Sequence, residues 1–183
     1  MAASAFRGAA AATRCSPERR LSDGSWGSTV RRFDLRSLRF GAGSETWRRL
    51  PVDVEPFVFG GLEYEVVGGE VDLLLTAARV GDSVTLTAEF ATDVLGPCQR
   101  CLEDADVALD VGGVEYVRHG DSEGDEEDDG YVTSSIVDLE RWTRDLIAEA
   151  LPPQVLCRED CRGLCSVCGV DLNQDPEHGH DEA

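Results

Sequence analysis

Apolar and polar positions alternate with a period of two through the middle of the chain, so the pattern predicts strands there first. Val71-Asp72-Leu73-Leu74-Leu75-Thr76-Ala77 and Val84-Thr85-Leu86-Thr87-Ala88-Glu89-Phe90 flank Val80-Gly81-Asp82, as the arms of a hairpin would. Gly60-Gly61 and Gly68-Gly69 punctuate the approach to it. A further strand is expected from Ala105 to Tyr116, with Val107, Leu109 and Val111 on one face and a bulge at Gly112-Gly113. Nearer the start, Phe33-Asp34-Leu35-Arg36-Ser37-Leu38 alternates as a first short strand. Past residue 130 the period lengthens. Ile136, Leu139, Trp142, Leu146, Ile147 and Ala150 recur at helical spacing, with Ser135 or Asp138 as cap and Pro152-Pro153 as stop. Glu140 with Arg144, and Arg141 with Asp145, add i,i+4 pairs, and Trp142 is expected to pack the helix on the sheet. Strands joined by turns, with no helical crossover between them, imply antiparallel pairing. The expected class is α+β: an antiparallel β-rich body, a curved sheet or partial barrel, followed by a C-terminal helix and a cysteine-rich tail.

Composition divides the chain further. With 183 residues and 42% hydrophobic content it can bury a sizeable core. Residues 1–28 are rich in Ala, Ser, Gly and Arg without apolar periodicity, and read as a disordered leader. Arg7, Arg14, Arg19 and Arg20 give that leader a faint transit-peptide character, and a misassigned start is the competing reading. The body is expected over 29–153, with its packing helix at 136–151 and a solvated acidic loop at 120–130. A Cys/His metal-binding tail is expected over 154–183. Asp125-x-Glu127-x-Asp129-Gly130 imitates the start of a calcium loop, but Ile136 stands where the bidentate glutamate belongs.

All 17 basic residues are arginine, which a GC-rich genome explains, and the net charge is −19. The first 50 residues balance to +6 and the remainder to −25. An acidic body repels phosphate, so broad wrapping of nucleic acid is disfavoured and a basic partner favoured; any RNA contact would use the basic N-terminal arm or a small neutral patch in the cysteine-rich tail. The longest apolar stretch near the start, Ala9 to Ala12, is far too short for a signal peptide or a membrane span. A cytoplasmic protein is expected.

The densest chemistry lies near the end. Cys157, Cys161, Cys165 and Cys168 fall within twelve residues, and His178 and His180 follow. Thiolates and imidazoles grouped this closely form the ligand set of a tetrahedral zinc ion. Cys165-x-x-Cys168-Gly169 has the form of a zinc knuckle, with the glycine permitting the close turn. The second ligand pair is either Cys157 with Cys161 or His178 with His180; both can reach. One structural zinc is therefore expected. Disulfides are disfavoured by the odd total of seven cysteines. Cys98-Gln99-Arg100-Cys101-Leu102, between strands, lacks the helix N-terminus that activates a redox pair. It could hold a second metal, donate to the C-terminal site, or form a turn with two small buried thiols. No Ser-His-Asp set, phosphate loop or paired-carboxylate site is present, so no catalytic residue or small-molecule substrate is expected. His119 abuts the acidic loop, and Cys15 in the leader reads as incidental.

Three motifs in one order carry a resemblance: C-x-R-C-L (Cys98, Arg100, Cys101, Leu102), a helix from Asp138-Leu139 to Leu151-Pro152, and C-x3-C-x-G-L-C-x2-C-G from Cys157 to Gly169. Together with Asn173 in Asp171-Leu172-Asn173, they resemble the YceD family, the large ribosomal RNA subunit accumulation proteins, in its metal-binding actinobacterial-type branch. The likeness covers about residues 30–181. It implies a non-enzymatic role in 23S rRNA accumulation and large-subunit biogenesis. The implied partner is the large-subunit precursor, met through a ribosomal protein, an assembly factor or 23S rRNA. The alternative is a thiol-based redox enzyme or sensor using Cys98 and Cys101. His178-Gly179-His180 stands where many relatives carry C-x-C, a change that keeps ligand character.

Overall fold

A computed structural model describes residues 29–40, 45–118 and 130–180. The expected leader at 1–28, Cys15, His119 and nearly all of the acidic loop lie outside the described residues. The strands are β1 (Arg32–Asp34), β2 (Glu45–Asp53), β3 (Phe57–Phe59), β4 (Leu62–Val66), β5 (Glu70–Val80), β6 (Ser83–Pro97), β7 (Asp104–Arg118), β8 (Val132–Thr133) and β9 (Ile136–Asp138); one helix, α1 (Leu139–Ala150), follows.

Every strand pairing is antiparallel, and β6 is the spine. One edge of β6 pairs along its whole length with β7; the other pairs first with β5 and then, near its C-terminal end, with β4. β2 extends the sheet beyond β5, and β3 beyond β4. Among the described residues the sheet stays open, with no strand closing it into a barrel. The hairpin turn is the expected one: Val80 pairs with Ser83, and Gly81 between them has φ +63. A positive φ at the first central position, where glycine is unstrained, matches the right-handed twist of the flanking strands.

Alternation decides which face is buried. Val52 on β2, Leu73 and Leu75 on β5, Leu86 and Val94 on β6, and Leu109 and Val111 on β7 form the core face. α1 lies over this face with Leu139, Trp142, Leu146 and Ile147 inward. Trp142 stacks on Tyr131 at 5.8 Å between centroids, so it is a core residue as its spacing implied.

Three local expectations are corrected. The first strand is shorter than the alternation suggested, because Asp34 caps a 3-10 turn at Leu35–Ser37 by accepting from the Arg36 N–H. Gly112-Gly113 makes no bulge, since Glu89 pairs with Gly112 and Ala88 with Gly113 without an extra residue. Gly113 is instead where α1 presses closest: a Cβ there would collide with the Leu146 side chain. The helix begins at Leu139, three residues after Ile136. Ile136 belongs to β9, and Ser134 and Ser135 form the β8–β9 turn with φ +51 and +67. Asp138 is the cap, accepting from the Arg141 N–H at 3.1 Å. Of the two expected helix pairs, Arg141 reaches Asp145 at 3.8 Å, while Glu140 meets Arg31 at 3.2 Å. After Leu151 the described part of the tail has no helix or strand of its own and meets the link after β6, where the Gln99 N–H donates to the Val155 carbonyl at 2.9 Å. No described helix is long and apolar enough to cross a membrane.

Candidate metal centres

The link between β6 and β7 makes a tight loop around Cys98. The Cys98 N–H donates to the Glu103 carbonyl at 2.7 Å and the Leu102 N–H to the Cys98 carbonyl at 2.9 Å. In the tail, the Cys165 N–H donates to Val170 and the Gly169 N–H to Cys165, both at 2.8 Å. The two loops share both hydrogen bonds at the same offsets, and each then carries a left-handed residue: Leu102 at φ +64, Gly169 at φ +77. The chain thus contains one knuckle twice. The first went unseen as a knuckle because leucine stands where the conformation favours glycine.

Each knuckle gathers a second pair of ligand atoms. Cys98 Sγ lies 3.7 Å from Cys161 Sγ, and Cys101 Sγ lies 3.5 Å from Cys157 Sγ. Cys165 Sγ lies 3.2 Å from His180 Nε2, Cys168 Sγ 3.1 Å from His178 Nε2, and the two Nε2 atoms are 3.2 Å apart. Within each group all four atoms fall within 4.8 Å of one another. A tetrahedron at zinc-ligand bond lengths has edges of about 3.8 Å between sulfurs and about 3.5 Å between sulfur and nitrogen. Both sets fit, so two Cys/His groups could hold a metal ion. Four protein ligands leave no open position, which is the arrangement of a structural rather than a catalytic ion.

The six expected ligands therefore divide. His178 and His180 join Cys165 and Cys168; Cys157 and Cys161 turn away from them, toward Cys98 and Cys101. Both candidate pairs are used, at separate places. Nothing in the local spacing of the tail could reveal this, since the two halves of the first group stand 56 and 63 residues apart in the chain.

The environments differ. In the four-cysteine group Cys98, Cys101 and Cys161 are buried, while in the other Cys168 and His180 are exposed. Burial pushes the Cys98 thiol up, but N–H groups of Cys101, Arg100 and Cys157 outweigh it and bring the thiol down to about 6. Burial pushes Cys101 up to about 12 and also raises Cys157. Cys165 is lowered to about 6 by the N–H groups of Cys168 and Val167 and by His180. A cation among the sulfurs would favour the thiolate in all of them. The Asp175 carboxylate lies 3.7 Å from His178 Nδ1, where an outer carboxylate steadies a ligating imidazole.

Arg100 brackets the junction. Its guanidinium donates to the Cys161 carbonyl and to Gln154 Oε1, both at 3.0 Å, and its own carbonyl accepts the Leu164 N–H at 3.1 Å. Gly163, at φ +77, is required here, because a Cβ would come within 2.9 Å of the Arg100 carbonyl oxygen. Asn173 braces the four-cysteine group from outside: its Oδ1 accepts from the Arg162 N–H at 2.8 Å and its Nδ2 points at Cys161 Sγ from 3.6 Å.

Known proteins place this arrangement. The model of the family described as Large ribosomal RNA subunit accumulation protein YceD matches residues 86–183, which run from β6 through both groups. An uncharacterized protein of Mycobacterium tuberculosis is 36% identical over 128 residues, covering 67% of this chain and 62% of its own length. An uncharacterized protein of Mycobacterium leprae is 30% identical over 127 residues, covering 66% of this chain and 58% of its own. The chain thus matches less than two thirds of the length of these relatives. No solved structure matches it. With a family match over more than half its residues, the chain belongs to the YceD family of large ribosomal RNA subunit accumulation proteins.

Proposed function

We propose that this protein is a non-enzymatic cytoplasmic factor that supports 23S rRNA accumulation during large-subunit assembly, with two structural zinc ions fixing its tail to its sheet. The observation that carries the reading is the family match, which spans every residue of both ligand groups. Borderline-soft thiolate and imidazole donors in closed tetrahedral sets suit zinc over the oxygen-seeking magnesium and calcium. Cys98, Cys101, Cys157 and Cys161 would hold one ion and Cys165, Cys168, His178 and His180 the other. The first ion would join the β6–β7 turn to the tail, and the second would shape the tail itself.

A dithiol redox enzyme is the weaker reading. Its nucleophilic sulfur would need access and one partner, whereas Cys98 is fully buried and faces three other sulfurs. Depleting the protein in its own cells should lower the ratio of 23S to 16S rRNA, and the wild-type chain should restore it. A chain with Cys98→Ser and Cys165→Ser should restore it less well. An unchanged ratio accompanied by new sensitivity to oxidants would replace assembly with redox chemistry.

A further inference from the structure

The face of the sheet opposite α1 is organised in a way the metal centres do not use. In register across four strands, Trp47 on β2 stands beside Thr76 on β5, Thr87 on β6 and Val114 on β7. The next row runs Glu45, Ala78, Thr85 and Tyr116 across the same strands. Trp47, Val114 and Tyr116 are 61%, 51% and 74% exposed. A solvated outer face is ordinary for an antiparallel sheet, but it is ordinarily polar. Two exposed aromatics with a valine and threonines between them form instead a strip, about 14 Å across at the usual strand spacing, whose two rows carry one charge, Glu45 at the β2 edge.

Along the same strands the strip gives way to an open groove lined by Glu70, Asp72, Glu89, Asp93 and Asp110, with Arg49 as a cation among them. Arg49 is itself bonded to Asp72 at 2.9 Å. The face therefore joins an aromatic half, with Glu45 at its edge, to a strongly acidic half. Aromatic residues are enriched where proteins dock, and the acids state which kind of partner fits.

We propose that this outer face of β2, β5, β6 and β7 docks an extended, arginine- and lysine-rich polypeptide whose apolar side chains lie on Trp47, Val114 and Tyr116. Its cations would lie over the groove carboxylates. Single-stranded RNA could stack on exposed aromatics, but its phosphates would face five carboxylates. A second copy of this chain would bring the same acids against one another. Charge thus selects a basic protein segment over both.

The test uses the full zinc-loaded chain and three fluorescent probes: a peptide of arginine, lysine and leucine, its glutamate counterpart, and a single-stranded oligoribonucleotide. Only the cationic peptide should bind. Its affinity should fall at least about tenfold in a Trp47→Ser, Tyr116→Ser chain and again in a Glu89→Lys, Asp110→Lys chain. A Glu149→Lys, Glu159→Lys chain makes the same charge change on α1, behind the opposite face of the sheet, and in the tail, and should bind within about threefold of wild type. All these positions are exposed, and unaltered thermal unfolding checks that each variant folds. Equal weakening by the Glu149→Lys, Glu159→Lys change would reduce the effect to net charge and overturn the proposal. So would comparable RNA binding lost with Trp47 and Tyr116, or self-association in sedimentation that the same changes abolish. Peptide binding and the 23S rRNA ratio are separate readouts, so either can fail alone.

Discussion

Leu102 and Gly169 occupy the same position in two copies of one turn, and only one of them is suited to it. A side chain in the left-handed region costs roughly 1–2 kcal/mol, and Leu102 is 58% exposed, so little burial offsets that cost. Leu102→Gly should therefore raise resistance to denaturant by up to about 1 kcal/mol, the gain being trimmed by glycine's extra freedom when unfolded. Gly169→Ala has open space around it but the wrong backbone angle, and should cost about 1 kcal/mol. A loss of stability in Leu102→Gly would mean that the leucine packs on something essential. Thiol reactivity gives a second residue-level prediction. In the metal-free chain Cys165, held at about 6, should be alkylated at neutral pH well before Cys101, held near 12 by burial. The sign of the pH effect follows from the lowered thiol. In the metal-free chain the thiolate at Cys165 predominates above about 6 and is lost as pH falls through that value, so acidification should weaken metal uptake by that group. Alkylation of Cys101 ahead of Cys165 would refute the assignment.

At the scale of elements, the seat of α1 depends on a missing side chain. Gly113→Ala would drive a methyl into Leu146 and should cost about 1–3 kcal/mol. Leu146→Ala in the same chain should recover part of that loss, a coupling that a double-mutant cycle measures. Additive losses would place the helix elsewhere. The elements that could be read from the chain are those where alternation is uninterrupted. Val71 to Ala77 of β5, Val84 to Phe90 of β6 and Ala105 to Val111 of β7 alternate well enough to be read, and Gly81 marks the turn; the second half of β6 was hidden because Thr92 takes a core position and Val94 stands beside Leu95. β2 was hidden because Arg48-Arg49 and Pro51 break its pattern; the proline is tolerated since β2 is an edge strand. Ile136 misled for a different reason. It sits three residues before Leu139, so helical spacing absorbed a residue that the fold spends on β9, where it is 38% exposed. The Cys165 knuckle was legible because its glycine and spacing are local. The other was not, because its two halves meet only after the whole sheet has folded.

For the whole molecule, the two groups divide labour by burial. The tail has no helix or strand of its own, so its order should come largely from metal, whereas the sheet has a continuous apolar core of its own. A chelator should strip the exposed Cys168 and His180 group before the buried four-cysteine group, in two resolved steps, while most of the far-UV signal survives. One cooperative loss of the whole signal would contradict that division. The central claim is that the chain closes on two metal centres, one of them joining residues far apart in sequence. Metal counting by native mass spectrometry tests it most directly. Wild type should carry two zinc ions; a Cys98→Ser, Cys101→Ser chain should keep the one at Cys165, Cys168, His178 and His180; a His178→Ala, His180→Ala chain should keep the one at the four cysteines. A single zinc in wild type that survives loss of Cys98 and Cys101 but vanishes with either tail pair would contradict it.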